Sequence, residues 1–108
     1  MDSCQAPDPG DGRLRMRVEA FLEDRSADTV TGPRRMGRTP LVEFVRSAAE
    51  DAGLTVWSPG CDACDVIILD HWSEIPGMED VIRGNPDADV LFGQDLCHQV
   101  PAVVRHRP

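Results

Sequence analysis

The chain has 108 residues, 41% of them apolar, five aromatic side chains and a formal charge of −8 at neutral pH. A chain this short supports one domain that buries about two-thirds of its unfolded surface, with a core of Val, Ile and Leu because Phe21, Phe44, Phe92, Trp57 and Trp72 are the only aromatics. The acidic balance argues against sequence-independent binding to nucleic acid or an anionic membrane, since cationic side chains supply most of that affinity.

All 11 basic residues are arginine. They gather at Arg13, Arg15 and Arg17, at Arg34, Arg35 and Arg38, and at Arg105 and Arg107, so a local anion site survives the acidic average. No apolar run reaches the roughly 20 residues that span a bilayer, and Met1–Gly12 lacks the pattern of an export signal. The expected location is the cytoplasm, with Cys4, Cys61, Cys64 and Cys97 as thiols or metal ligands rather than disulfides.

Residues 1–12 hold Pro7, Pro9, Gly10 and Gly12 among acids and read as a disordered lead-in to a single small α/β domain over residues 13–108. Leu14, Met16, Val18, Ala20 and Leu22 alternate with polar residues as in a strand, while Val18, Phe21 and Leu22 also fall at helical spacing; both readings stand. Ala27–Thr31 is a short strand that runs into Gly32. From Pro40, the positions Leu41, Val42, Phe44, Val45, Ala48, Ala49 and Ala52 repeat at helical spacing until Gly53 ends the helix.

Leu54–Trp57 is a short strand and Ser58–Cys64 a turn-rich loop. Val66-Ile67-Ile68-Leu69 is an unbroken apolar run, as in a central strand covered on both faces, and it ends in Asp70. Pro76–Arg83 reads as a short helix and Asp89–Phe92 as a strand. A loop over Gly93–Pro101 then precedes a final strand, Ala102–Arg105.

The most chemical stretch is Gly32-Pro33-Arg34-Arg35-Met36-Gly37-Arg38-Thr39, one residue from the phosphate loop G-x-x-x-x-G-K-[ST]. In such a loop the glycines let backbone N–H groups close around a phosphate, the cation neutralises the outer phosphates and the hydroxyl holds Mg²⁺. This assigns Gly32, Arg35, Gly37, Arg38 and Thr39 to nucleotide phosphates. Thr39 also reads as a helix N-cap. Asp70, at the tip of an apolar strand, has the form of the acid that holds nucleotide-bound Mg²⁺ together with Thr39.

The loop followed by Leu41-Val42-Glu43-Phe44, and the second segment Val66-Ile67-Ile68-Leu69-Asp70-His71-Trp72-Ser73-Glu74-Ile75-Pro76-Gly77, resemble the P-loop ATPases of the AAA-like class. That resemblance implies a small three-layer fold with a mainly parallel sheet and binding of ATP or GTP with Mg²⁺. Arg38 stands in place of the loop lysine, and its planar fork does not occupy a point charge's position, so the implied hydrolysis is weak or absent. Any catalytic role falls to Glu74, or to His71, which stands where the family places the glutamate that activates water.

A parallel neighbour needs a crossover of a dozen or more residues, and only Ser58–Cys64 separate Trp57 from Asp65. The alternative fold is therefore an α+β, ferredoxin-like split βαβ arrangement. Its functional counterpart is a non-enzymatic interaction module with a protein partner. Zinc would stabilise that module through Cys61 and Cys64, completed by Cys97 or His98 with His71.

Overall fold

A computed structural model describes residues 9–107. In chain order it contains helix α1 (Pro9–Glu23), strand β1 (Thr29–Thr31), helix α2 (Arg38–Asp51), strand β2 (Val66–Leu69), helix α3 (Glu79–Gly84), strand β3 (Asp89–Leu96) and strand β4 (Val100–Arg105). Short 3-10 turns occupy Trp72–Glu74, Pro76–Met78 and Cys97–Gln99. The lead-in expected over residues 1–12 lies outside the described residues as far as residue 8; residues 9–12 belong to α1.

The open choice over residues 13–22 resolves as helix. Leu14, Val18, Phe21 and Leu22 are buried, a stripe at i, i+4, i+7 and i+8, whereas Met16 is 70% exposed. A strand would have put Met16 on the same face as Leu14 and Val18. Helix α2 buries Leu41, Val42, Val45, Ala48 and Ala49 and stops as Gly53 takes φ +84°, where a side chain would be strained.

The sheet order is β1-β4-β3-β2. β4 runs antiparallel to both β1 and β3, and only β2 and β3 are parallel, joined through α3. The expected mainly parallel, P-loop-like sheet is therefore incorrect, and the domain is α+β with a mixed sheet. The segment Gly93–Pro101, expected as a loop, instead extends β3 to Leu96 and turns back into β4 through Cys97–Gln99. A three-residue connection can only join antiparallel neighbours, and Gln99 takes φ 60° to close it.

β1, α2 and β2 form a split βαβ unit with β4 and β3 between its strands, closer to the alternative arrangement. The short Trp57–Asp65 connection makes no hairpin: Val56 forms one isolated parallel bridge to Val66 at the β2 edge.

One face of the sheet is covered by α1 and α2, whose buried side chains join Val30, Val66, Ile68, Leu91 and Val103 in the main core. The other face is covered more sparsely. There Ile67, Leu69, Val90 and Phe92 meet half-buried Ile75, Met78, Val81 and Ile82 from α3 and the turns before it. Each fully buried aliphatic side chain stabilises the fold by about 1.5–3 kcal/mol, so the denser α1/α2 face dominates.

One charged side chain crosses this apolar interior. Arg105 at the end of β4 has a side chain only 2% exposed and pairs with Asp89 at the start of β3, Nη2 to Oδ2 at 2.7 Å. Its Nε donates to both Asp89 oxygens at 2.8 Å, Nη2 donates to the Phe21 carbonyl at 2.8 Å, and Nη1 donates to the carbonyls of Asp24 and Ala27. The guanidinium also lies 4.3 Å from the centre of the Phe21 ring. The turn that supplies two of those carbonyls is fixed by Ser26, whose hydroxyl and amide donate to the Asp24 carboxylate and hold it below the usual carboxylate range.

Removing one partner of a buried pair leaves the other charge uncompensated. Asp89→Asn is therefore expected to cost about 3 kcal/mol in urea unfolding. The same change at Asp80, whose pair with Arg83 at 3.6 Å is largely solvated, should cost under about 0.5 kcal/mol. Equal effects would show that Arg105 does not depend on its counter-charge.

Candidate functional site

β1, β2 and β3 point the same way and β4 the opposite way, so the residues following the first three strands lie along one end of the sheet. The segment Gly32–Gly37 links β1 at one edge to α2. The two ends of this segment serve different places.

At its first end, the Gly32 amide donates to the Pro101 carbonyl at 2.9 Å, and a Cβ added to Gly32 would lie 3.0 Å from Leu41 Cδ1. The loop then folds on itself, with the Met36 amide donating to the Pro33 carbonyl at 2.9 Å. Arg35 lines a cavity of about 610 Å³ together with Thr31, Gly32 and Pro33 from the loop and Arg13, Met16 and Arg17 from α1. Arg13 and Arg17, four residues apart, share one helical face. Arg17 Nη1 donates to Thr31 Oγ1 at 3.5 Å, and among the described residues neither Arg13 nor Arg17 has a carboxylate partner. No acidic side chain lines this cavity among the described residues.

At its second end, Gly37 takes φ +84° and ψ 160° to begin α2. Thr39 is not the cap; it sits inside the first turn, and its hydroxyl donates to Asp70 Oδ1 at 2.9 Å. Arg38 Nη2 donates to Asp70 Oδ2 at 3.2 Å and Nη1 to Asp95 Oδ2 at 3.0 Å, while its buried Nε has no partner. The sequence-selected Arg38, Thr39 and Asp70 therefore do meet. Asp95 joins them because β3 continues past Phe92.

The close approach that creates this cluster depends on Gly93. A Cβ there would collide with the Asp70 carbonyl oxygen, lie 2.6 Å from Val42 Cγ2 and 3.0 Å from Arg38 Cγ. Only glycine lets α2 cross β3 at this height.

Asp70 and Thr39 are engaged with each other and with Arg38 in this arrangement. Both Asp70 oxygens already accept, one from a hydroxyl and one from a guanidinium whose other arm is held by Asp95. Arg38 in turn faces two carboxylates, so little of its charge remains for a phosphate. Three strand spacings of about 4.8 Å separate β1 from β2, so Gly32 and Asp70 flank opposite edges of the sheet.

His71 and Glu74 lie together in a 3-10 turn. The His71 amide donates to Glu74 Oε2 at 3.1 Å, and the Ser73 amide donates to His71 Nδ1 at 3.2 Å, with Ser73 Oγ 2.9 Å from the same nitrogen. These bonds form a capping box, which places the carboxylate and one ring nitrogen in the turn. Neither side chain bonds to Arg38, Thr39 or Asp70.

Cys61 and Cys64 are half-buried free thiols and Cys97 is an exposed one. Cys61 donates to the Ala63 carbonyl, and Cys64 packs against the second cluster beside Trp57. Burial pushes the Cys64 thiol up, helped by Cys61 and Asp65. Among the described residues no three of His, Cys, Asp and Glu come together as metal ligands.

The signals that sequence reading passed over were the continued strand alternation through Gln94–Leu96, which places Asp95, and the i, i+4 spacing of Arg13 and Arg17, which only a helix brings to one face.

Gly93→Ala is expected to lower stability by about 2–3 kcal/mol, because its Cβ must push α2 off β3. Gly84→Ala, with open space around it, should change stability by less than about 1 kcal/mol. In timed alkylation read by peptide mass spectrometry at pH 7, Cys64 should react at least about tenfold more slowly than Cys97, with the gap narrowing as pH rises. Equal rates at pH 7 would mean that burial does not protect Cys64. No protein-family model, curated protein or solved structure matches this chain.

Proposed function

We propose that the protein binds a phosphate-bearing small molecule, a nucleotide of the ATP or GTP class, in the cavity between α1 and the Gly32 loop, and that it does so without hydrolysing it. The observation that carries this reading is a concentration of positive charge in an acidic chain. Arg13, Arg17 and Arg35 line one cavity of about 610 Å³ in a protein of formal charge −8. Arginine forks suit phosphate oxygens bidentately, and a partly enclosed site strengthens those bonds.

The resemblance to P-loop ATPases supports a phosphate ligand near Gly32 but assigns the work to Arg38 and Asp70. Their mutual pairing supports a different division of labour. Arg38 tethers α2 to the tips of β2 and β3, and the α1 arginines take the place of the loop cation. Phosphoryl transfer needs the cation, the metal and the water-orienting group gathered at one phosphate. Here the arginine cavity and Asp70 flank opposite sheet edges, and the Glu74 carboxylate caps a turn, which favours binding over turnover.

A second reading, an interaction module with a protein partner, rests on Trp72. It is 53% exposed, with its ring 5.3 Å from that of His71. Single exposed aromatics are common, so this reading ranks below the first.

The test is thermal unfolding with ATP, GTP or inorganic phosphate, with and without Mg²⁺. A ligand at about ten times its Kd adds roughly 1.4 kcal/mol, a rise of about 6 °C for a domain of this size. We expect that rise with 5–10 mM nucleotide, no requirement for Mg²⁺, and its loss in Arg13→Ala/Arg17→Ala. If no nucleotide shifts the melting temperature, or if the double variant responds like the parent, the assignment fails.

A further inference from the structure

A second cavity, of about 640 Å³, opens at the other end of the sheet, beside the start of β3 and the end of β4. Its size is that of a small-molecule site. Ile82 of α3, Pro86, Ala88 and Val90 give it an apolar wall. The floor is the Arg105–Asp89 pair, whose polar atoms are already bonded to one another and to the carbonyls of Phe21, Asp24 and Ala27. The backbone on either side of Arg105 is pinned as well, its own amide donating to the Asp28 carbonyl and that of His106 to the Val90 carbonyl, both at 2.7 Å. The cavity is thus built on rigid elements.

Its mouth is cationic. Arg107 bonds Asp28 Oδ1 at 2.7 Å through Nε and the Arg25 carbonyl at 2.8 Å through Nη2. Arg25 bonds the Asp87 carbonyl at 3.1 Å, and its nearest carboxylate, Asp89 at 3.9 Å, accepts three shorter contacts from Arg105. The lining carries three arginines, Arg25, Arg105 and Arg107, and one carboxylate, Asp89, which pairs with Arg105 and at 3.9 Å with Arg25; Asp28, outside the lining, pairs with Arg107. Asp65 and Asp87 line a separate, smaller cleft that shares Arg25. His106 also lines the larger cavity.

We infer that this cavity is a binding site for a small monocarboxylate with a compact hydrocarbon or aromatic body, its carboxylate held by Arg25 and Arg107 and its body against Ile82, Pro86, Ala88 and Val90. The ligand's carboxylate suits the excess of arginine over carboxylate in the lining, and its body matches the wall. Inorganic phosphate would leave that wall wet. The site is independent of the arginine cavity at the Gly32 loop, which lies at the opposite end of the strands.

The probes are phenylacetate, its neutral isostere phenylacetamide, phenethylammonium and inorganic phosphate, titrated into the ¹⁵N-labelled full chain and followed by two-dimensional NMR. Phenylacetate should move the Val90 and His106 amides saturably, with half-saturation on the order of 1 mM for a ligand of that size. Phenylacetamide and phosphate should bind at least about tenfold more weakly, the cost of a missing charge-assisted bond or a missing apolar body. Phenethylammonium should not bind.

Arg25→Gln, at a side chain 59% exposed, should keep the dispersed spectrum and weaken phenylacetate about fivefold or more. Arg107→Gln serves as the second variant, and Arg13→Ala/Arg17→Ala should leave the titration unchanged. No saturation by 20 mM, equal binding of the amide or of phosphate, or an unaltered titration in both Arg25→Gln and Arg107→Gln would each overturn the assignment. None of these outcomes bears on the nucleotide reading, whose double variant is silent here.

Discussion

Arg105 is the constraint around which the domain is arranged. A guanidinium removed from water is tolerated only when its donors and its charge are all met, and here one side chain reaches α1 through Phe21, the following turn through Asp24 and Ala27, and β3 through Asp89. To make those bonds, the end of β4 must lie beside the start of β3 and against the α1 turn. In the sheet, the last strand lies in the interior, between β1 and β3, and two of the three strand pairings are antiparallel. The buried arginine is thus satisfied in the mixed sheet that forms, where β4 runs antiparallel to β3 and ends beside its start.

The second constraint, Gly93, acts at the opposite end of β3. The missing side chain lets α2 settle onto the sheet, and the settled helix brings Arg38 and Thr39 to Asp70 and Asp95. The cluster is partly solvated, with Arg38, Asp70 and Asp95 side chains 29%, 40% and 48% exposed, so its contribution to stability is modest. Its effect is on orientation. Two carboxylates on neighbouring strands fix one guanidinium, and that guanidinium fixes where α2 begins.

Local features were legible in the sequence. The helical repeat Leu41–Ala52, its end at Gly53, the unbroken strand Val66–Leu69 and the strand that closes at Arg105 were all readable from period and turn chemistry. Residues 13–22 were ambiguous for a definite reason: Leu14, Val18 and Leu22 satisfy both a period of two and a period near four, and only the surface position of Met16 separates the two. The sheet order was not legible, because it turns on Arg105 meeting Asp89 and on the three-residue turn at Cys97–Gln99, neither of which carries a periodic signal. The glycine-arginine motif was legible as spacing. Spacing along a chain says nothing about the landing point of each end, and here the ends land at different edges of the sheet.

That separation decides what the arginines can do. Arg15 bonds Glu19 and Asp51, Arg38 bonds Asp70 and Asp95, and Arg105 and Arg107 bond Asp89 and Asp28. Arg15 is held more firmly protonated than usual, chiefly by its bond to Asp51. In a chain with 19 acids and 11 bases, most cations are expected to be drawn into such pairs, which leaves less of their charge for a ligand. For a phosphate ligand, an arginine without a carboxylate partner among the described residues is therefore the more informative one, and position in the motif is a poorer guide. By that criterion the chemistry shifts away from Arg38, which completes the motif but is neutralised, toward Arg13 and Arg17, which lie outside it and face the same loop.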